Sequence, residues 1–135
     1  MDLTSALTIS ASGMDAQTER LRVIAENLAN EDSTGSSPNA TPYRRRQVSF
    51  QTVLNRRIGA ETVKVSAVTE DNSPFPQKYD PSNPAADTNG YVRTPNVNSF
   101  TEMMDMREAE RSYSANLNVL QASRSMLSRV IDLLK

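Results

Sequence analysis

Residues 99–135 read SFTEMMDMREAERSYSANLNVLQASRSMLSRVIDLLK, a run without glycine or proline. Met106, Tyr113, Leu120, Leu127 and Leu134 stand seven residues apart. Ala109, Leu117, Val130 and Ile131 follow members of that row by three or four positions. On a helix this spacing draws one apolar stripe, the pattern of a coiled-coil seam. At 1.5 Å per residue such a helix is about 55 Å long. A chain of 135 residues has no core of its own that covers a stripe of that length, so the stripe calls for a partner helix.

The other end of the chain offers one. Leu7, Met14, Leu21 and Leu28 are again seven apart, and Leu3, Ala11, Ile24 and Ala25 widen the stripe over residues 3–30. The first half is a weak helix former: Thr4, Ser5, Thr8, Ser10 and Ser12 compete for backbone hydrogen bonds, and Gly13 costs backbone entropy. This helix is expected to be set by packing rather than by propensity. Periodicity alone leaves two readings open, an ordinary amphipathic helix on a core and a seam for intermolecular assembly. Asn27 and Asn30 stand near its end, where asparagine takes the left-handed cap conformation.

Residues 31–42 are a loop of Ser, Thr, Gly, Pro and Asn. Residues 43–50 and 62–69 are rich in β-branched positions and read as strands, with a short helical turn at 51–57 closed by Gly59. Pro74, Pro76, Pro81 and Pro84 break up residues 72–90, and Asn89-Gly90 is a hairpin signal into Tyr91-Val92-Arg93. Three or four short strands in a small β module are expected. Pro95 stops what precedes, and Ser99-Phe100-Thr101-Glu102 has the capping-box spacing, with Ser99 at the cap.

Composition narrows the function classes. An apolar fraction of 37% and an aromatic fraction of 5%, without tryptophan, are low for a self-contained globule. The net charge of −1 gives no field toward nucleic acid or an anionic membrane. It is unevenly spread: −4 over residues 1–41, +4 over 42–70, −1 over 71–99 and zero over 100–135. That suits head-to-tail matching between copies. With no cysteine and no histidine, thiolate chemistry, disulfides, imidazole acid–base work and most zinc or copper sites are excluded. No apolar run is long enough to span a bilayer, and Met1-Asp2-Leu3-Thr4-Ser5 lacks the basic start of a cleavable signal.

No stretch marks an active site, and neither an enzyme nor a cofactor is expected. Glu102, Asp105, Glu108 and Glu110 crowd a helix start and read as a solvated face that complements the helix dipole. Asp80, Asp87 and Asn89 read as turn residues, off the spacing of a calcium loop. Arg44-Arg45-Arg46 with Arg56-Arg57 is the one dense basic patch; without a recognition fold it reads as facing a neighbouring subunit or water. Two polar residues sit on the C-terminal stripe, Asn116 three after Tyr113 and Ser123 three after Leu120; they are either wetted edge positions or, for Asn116, a buried amide that fixes helix register.

One series of motifs goes further. Asn27-Leu28-Ala29-Asn30, then Thr34-Gly35, then Tyr43-Arg44-Arg45 resembles the N-terminal signature of bacterial flagellar axial proteins, the rod and hook family. Tyr79-Asp80-Pro81-Ser82-Asn83-Pro84, Gly90-Tyr91-Val92, Pro95-Asn96-Val97-Asn98, Glu102-Met103 and Arg111-Ser112-Tyr113-Ser114-Ala115-Asn116 resemble its proximal-rod branch. The resemblance implies a structural subunit of the basal-body proximal rod, a tubular shaft that crosses the periplasm, carries torque and encloses an export channel. It implies paired terminal helices in the tube wall with the β module outside. Implied partners are copies of the chain, other rod proteins, the export-gate and membrane-ring junction, and the type III export apparatus. No nucleic acid or small-molecule substrate is implied.

The expected fold is therefore mostly α with a small β module: long N- and C-terminal helices pair as an antiparallel coiled coil around a β-rich insert. The expected organisation is a helical core from residues 1–34 and 96–135, with a loop and β module at 35–95. The expected assembly surface comprises Leu7, Met14, Leu21, Ile24, Asn27, Leu28 and Asn30 at one end. At the other it comprises Met106, Tyr113, Asn116, Leu117, Leu120, Leu127, Val130, Ile131 and Leu134. The competing function is a soluble helical adaptor or export chaperone for amphipathic partner helices.

Overall fold

The computed structural model describes residues 3–133. Two long helices, α1 (Leu3–Ala29) and α2 (Ser99–Leu133), frame four strands: β1 (Arg46–Asn55), β2 (Ala60–Glu70), β3 (Gln77–Tyr79) and β4 (Tyr91–Arg93). Contacts between Arg20 and Glu108, and between Asn27 and Glu102, show that the helices run antiparallel. α1 lies between α2 on one side and the β1–β2 hairpin on another. No described helix is long and apolar enough to cross a membrane.

The face that α2 turns toward α1 is not the large-residue row. Its buried positions are Glu102, Ala109 and Ser123, and Asn116 completes that seven-residue series. Opposite them, α1 buries Ser5, Ser10, Ala16, Val23, Ile24 and Asn27. Small side chains bring the backbones together, most tightly at Gly13. A Cβ there would lie 2.9 Å from Asn116 Nδ2 and 3.1 Å from its Cγ. The poor helix formers of α1 are thus the residues that let the pair close, and packing supplies what propensity lacks.

The β region departs from expectation. Residues 51–55 continue β1 into one long antiparallel hairpin with β2, pairing Arg46 with Glu70 through to Asn55 with Ala60, and only residues 56–59 turn, with the Ile58 and Gly59 amides donating to the Asn55 carbonyl. β-branched residues at Thr52, Val53, Thr62, Val63 and Val65 favour that outcome. A bulge between Ser49 and Phe50 shifts the register. β3 and β4 form a second, separate two-stranded sheet. Asn89-Gly90 is part of a longer loop over residues 80–90, closed by Asp80 N–H to Gly90 O and Asp87 N–H to Tyr91 O. Gly90 has φ of 84°, a left-handed conformation, and the Tyr79 ring packs against its Cα, so a side chain fails there on both counts. Asp87 accepts from the Asn89 and Tyr91 amides, and Asp80 from the Ser82 hydroxyl, the turn roles expected of them.

Two helix-end expectations are corrected. Asn98, not Ser99, caps α2: its Oδ1 accepts the Thr101 amide at 3.1 Å and its carbonyl the Glu102 amide at 3.0 Å. Ser99 donates to the Glu31 carboxylate instead. Asn30 does not adopt a left-handed conformation, since no described non-glycine residue has positive φ. Its Nδ2 donates to the Glu26 carbonyl at 2.8 Å and its Oδ1 accepts from Ser33, which closes the turn after α1.

Candidate functional site

Two features stand out, a polar clasp where three parts of the chain meet and the apolar rows that run away from it. The clasp begins at Asn27, 1% exposed in the last turn of α1. Its Nδ2 donates to the Arg46 carbonyl at 2.8 Å and to Glu102 at 3.1 Å. Its Oδ1 accepts the Arg46 amide and the Tyr43 hydroxyl, each at 2.9 Å. One side chain therefore ties α1 to the start of β1 and to α2. An amide has both donor and acceptor faces, which is the reason asparagine suits this position and aspartate or leucine does not.

Glu102 is fully buried, contrary to the reading of its cluster as a solvated face. Arg45 compensates it, with Nε 2.5 Å from Oε1, while other Arg45 nitrogens reach Asp105 at 3.3 Å and Asp71 at 3.8 Å. A buried carboxylate is tolerable only when paired and hydrogen-bonded, and here it is both. Asp105, half-buried, and Glu108, which stays exposed, are ion partners of Arg20 at 3.6 and 3.3 Å, and Glu110 is exposed as expected.

The basic run is likewise turned mainly into its own chain rather than toward a neighbour. Arg46 pairs with Glu26, and Arg44 stacks on Phe75 at 4.3 Å while donating to the Asp71 carbonyl. Asn96 closes the circle, accepting the Arg45 amide at 2.8 Å and donating to the Asp71 carbonyl at 2.9 Å. Hydrogen bonds from the Ser73 hydroxyl and amide, then the charge of Arg45, hold the Asp71 carboxyl below the usual range. Burial pushes the Tyr43 hydroxyl up, so it stays a donor to Asn27.

Tyr43 makes the fold sensitive to alkali. A group with a raised folded pKa contributes fully below its unfolded value, about 10 for tyrosine, and loses that contribution as pH rises through the folded value. Chemical denaturation of Tyr43→Phe should show a shallower alkaline fall than the parent chain, with about 1 kcal/mol lost at neutral pH for the missing hydrogen bond. Equal alkaline slopes in the two proteins would remove Tyr43 from the linkage.

The expected assembly residues distribute as follows. Ile24 and Asn27 are buried within the chain. Leu7, Met14, Leu21, Leu28, Asn30, Met106, Tyr113, Asn116, Leu117, Leu120 and Leu127 are half-buried. Val130 and Ile131 are 48% and 49% exposed. Leu134 lies outside the described residues. Asn116 is the half-buried neighbour of Gly13, with its Nδ2 donating to the Ser112 carbonyl of its own helix. Sequence reading missed the clasp members Tyr43, Arg45, Asn96 and Glu102 as a site. The signal was available: Glu102, Ala109, Asn116 and Ser123 repeat every seven residues, but only their spacing and not their polarity announces a seam.

Comparison with known proteins converges on one family. The model of the flagellar basal body rod FlgEFG protein C-terminal region matches residues 88–133. Along nearly the whole chain the sequence is 51% identical to a flagellar basal-body rod protein FlgC from Agrobacterium fabrum, covering 98% of this chain and 96% of that one. It is 42% identical to the protein of that name from Salmonella typhimurium, covering 98% of each. It is 38% identical to the one from Bacillus subtilis, covering 95% of each.

Proposed function

Since the chain belongs to the FlgC family of flagellar basal-body rod proteins, we propose that it is a structural subunit of the proximal rod, working by assembly rather than by catalysis. Full-length likeness to proteins of that name carries the reading, and no relative named here is an adaptor or chaperone. The structure supports it through what it leaves uncovered. Among the described residues, the buried apolar side chains other than prolines are only Ala16, Val23, Ile24, Ala85, Val92 and Ala109. The large residues at Leu7, Met14, Leu21 and Leu28, and at Met106, Tyr113, Leu117, Leu120 and Leu127, are half-covered, and Val130 and Ile131 less so. An apolar surface of that extent on so small a chain marks an interaction site.

In this reading the half-covered rows are the contacts between subunits, and in the assembled state they wind as an antiparallel coiled coil extended by neighbouring helices. Residues 1–34 and 96–135 form the wall of a tube, and residues 35–95 an outer module stapled to it by the clasp. Asn116 against Gly13 fixes the register of the pair. Copies of the chain, other rod proteins and the junction with the export gate and membrane ring are the partners. The type III apparatus carries the chain out, and the shaft spans the periplasm.

The test is fractionation. A tagged chain expressed in place of the native one should copurify in multiple copies with detergent-extracted basal bodies. Recovery only as a soluble dimer or bound to a monomeric partner would replace the rod reading with the adaptor one.

A further inference from the structure

α2 carries a second apolar stripe that faces away from α1. Ala115, Val119, Ala122, Met126, Val130 and Leu133 follow one another at intervals of three or four, and all six are exposed. Val119, Met126 and Leu133 are 51%, 55% and 85% exposed. The large-residue row beginning at Met106 lies on another side of the helix. A helix that is apolar on more than one side is built to be surrounded.

Charge restricts what covers this stripe. Over residues 111–133 the stripe is flanked by Arg111, Arg124 and Arg129 against a single acidic residue, Asp132. Pairing the stripe with itself in a second copy would bring two such mainly basic segments together. The complementary surface lies elsewhere on the same molecule. Between α1 and the hairpin runs an open groove of about 460 Å3, with Ala16, Val53, Val63 and Val65 along it, the carboxylates of Asp15 and of Glu19, the latter already paired with Arg22, on its helix side, and Lys64 on its hairpin side. Asp15 is exposed and has no ion partner among the described residues. Arg129 flanks the second stripe and is likewise unpaired among them.

Reach also favours a second copy. The register that sets Gly13 against Asn116 and Asn27 against Glu102 brings Leu3 to about the level of Met126. The last two turns of α2 therefore have no described α1 residue opposite them. Those turns hold Val130 and Leu133. Their own groove lies alongside Ser12 to Glu19, behind them on the same chain.

We infer that the end of α2 in one copy, through Met126, Val130 and Leu133, docks into the α1–hairpin groove of the next copy, with Arg129 meeting Asp15 and Glu19. The inference rests on the rod reading and deepens it. The contact joins two different surfaces, so it does not close on itself and propagates into an open series, as a shaft requires. An amphipathic helix in an apolar groove is a known recognition mode, with acidic and basic rims setting orientation.

Absence of cysteine makes the test clean. Cells expressing Val63→Cys and Val130→Cys copies together are treated with a mild oxidant, and their basal bodies are purified. Both positions are exposed, so neither change disturbs the core. The expected result is a mixed disulfide between the two variants, at least tenfold above the Val130→Cys self-pair. Adding Asp15→Arg and Glu19→Arg should reduce it at least tenfold, and Arg129→Glu in the other copy should restore it. Basal bodies that contain both variants without the mixed disulfide, or with a dominant self-pair, overturn the docking and leave the rod reading intact. A chain absent from basal bodies overturns both.

Discussion

Arg45→Ala should lower the stability of the isolated full-length chain by about 3–5 kcal/mol, the usual consequence of stranding one partner of a buried ion pair. Glu102 is fully buried, and Arg45 is its charge partner at 2.5 Å. Without Arg45 the carboxylate keeps only the Asn27 amide at 3.1 Å. Against a total of about 5–15 kcal/mol for a domain, this loss removes about a fifth of the stability or more. Urea denaturation followed by far-ultraviolet circular dichroism reads it directly. The double variant Arg45→Met with Glu102→Leu should recover most of the loss, because it removes the lone charge rather than exposing it. A single variant within about 1 kcal/mol of the parent would show that water reaches Glu102 and that the clasp is not what closes the chain.

Leu120→Asp should abolish incorporation into basal bodies while leaving the isolated chain folded. Leu120 is half-covered within the chain, in the middle of the row from Met106 to Leu127. A carboxylate there meets water in the monomer and apolar surface in the assembly. Desolvating an unpaired charge at about 3–5 kcal/mol weakens each subunit contact by about 10²–10⁴-fold. Every subunit repeats the contact, so a linear assembly compounds the effect. Leu120→Met keeps volume and polarity and should retain motility. The measurements are swimming on soft agar and immunodetection in purified basal bodies, alongside circular dichroism of the monomer. Normal incorporation of Leu120→Asp would show that the Met106–Leu127 row is not a subunit contact.

Much of this fold was legible in advance, for specific reasons. Both helices announced themselves through seven-residue rows, and Pro95 marked where the second is free to begin. The polar clasp was not legible as a site. Its members sit at positions 27, 43, 45, 96 and 102, far apart in sequence, and each has an adequate local explanation. Glu102 in particular fits a capping box, and only tertiary structure shows that Asn98 takes the cap while Glu102 turns inward to Arg45. The sequence placed Ala109 and Asn116 on the C-terminal stripe, but it ranked them below the large apolar residues, and the structure buries Ala109 and Ser123 more deeply than Met106, Tyr113, Leu120 or Leu127. At 51–57 a helical turn was expected because Gln51 to Arg57 contains several helix formers. Cross-strand pairing with residues 60–64 wins, since strand preference depends on neighbours that a local window does not contain. The subunit surfaces are a different matter, because a contact between copies leaves only an uncovered stripe in the sequence of one.

The clasp sits at one end of the helix pair, and among the described residues the opposite end has no such polar network, only small buried side chains such as Ser5 and Ser123. The two helices therefore resemble tweezers, pinned at Asn27 and Glu102 and held toward the tips by packing alone. Opening is graded along such a pair: amide protons near the clasp exchange only through disruption of its network, whereas those near the tips exchange through small local excursions. In the proposed rod, a subunit arriving at a growing shaft can thus part its tips while the β module stays in register, and a neighbour closing over them encloses the end that opens most easily.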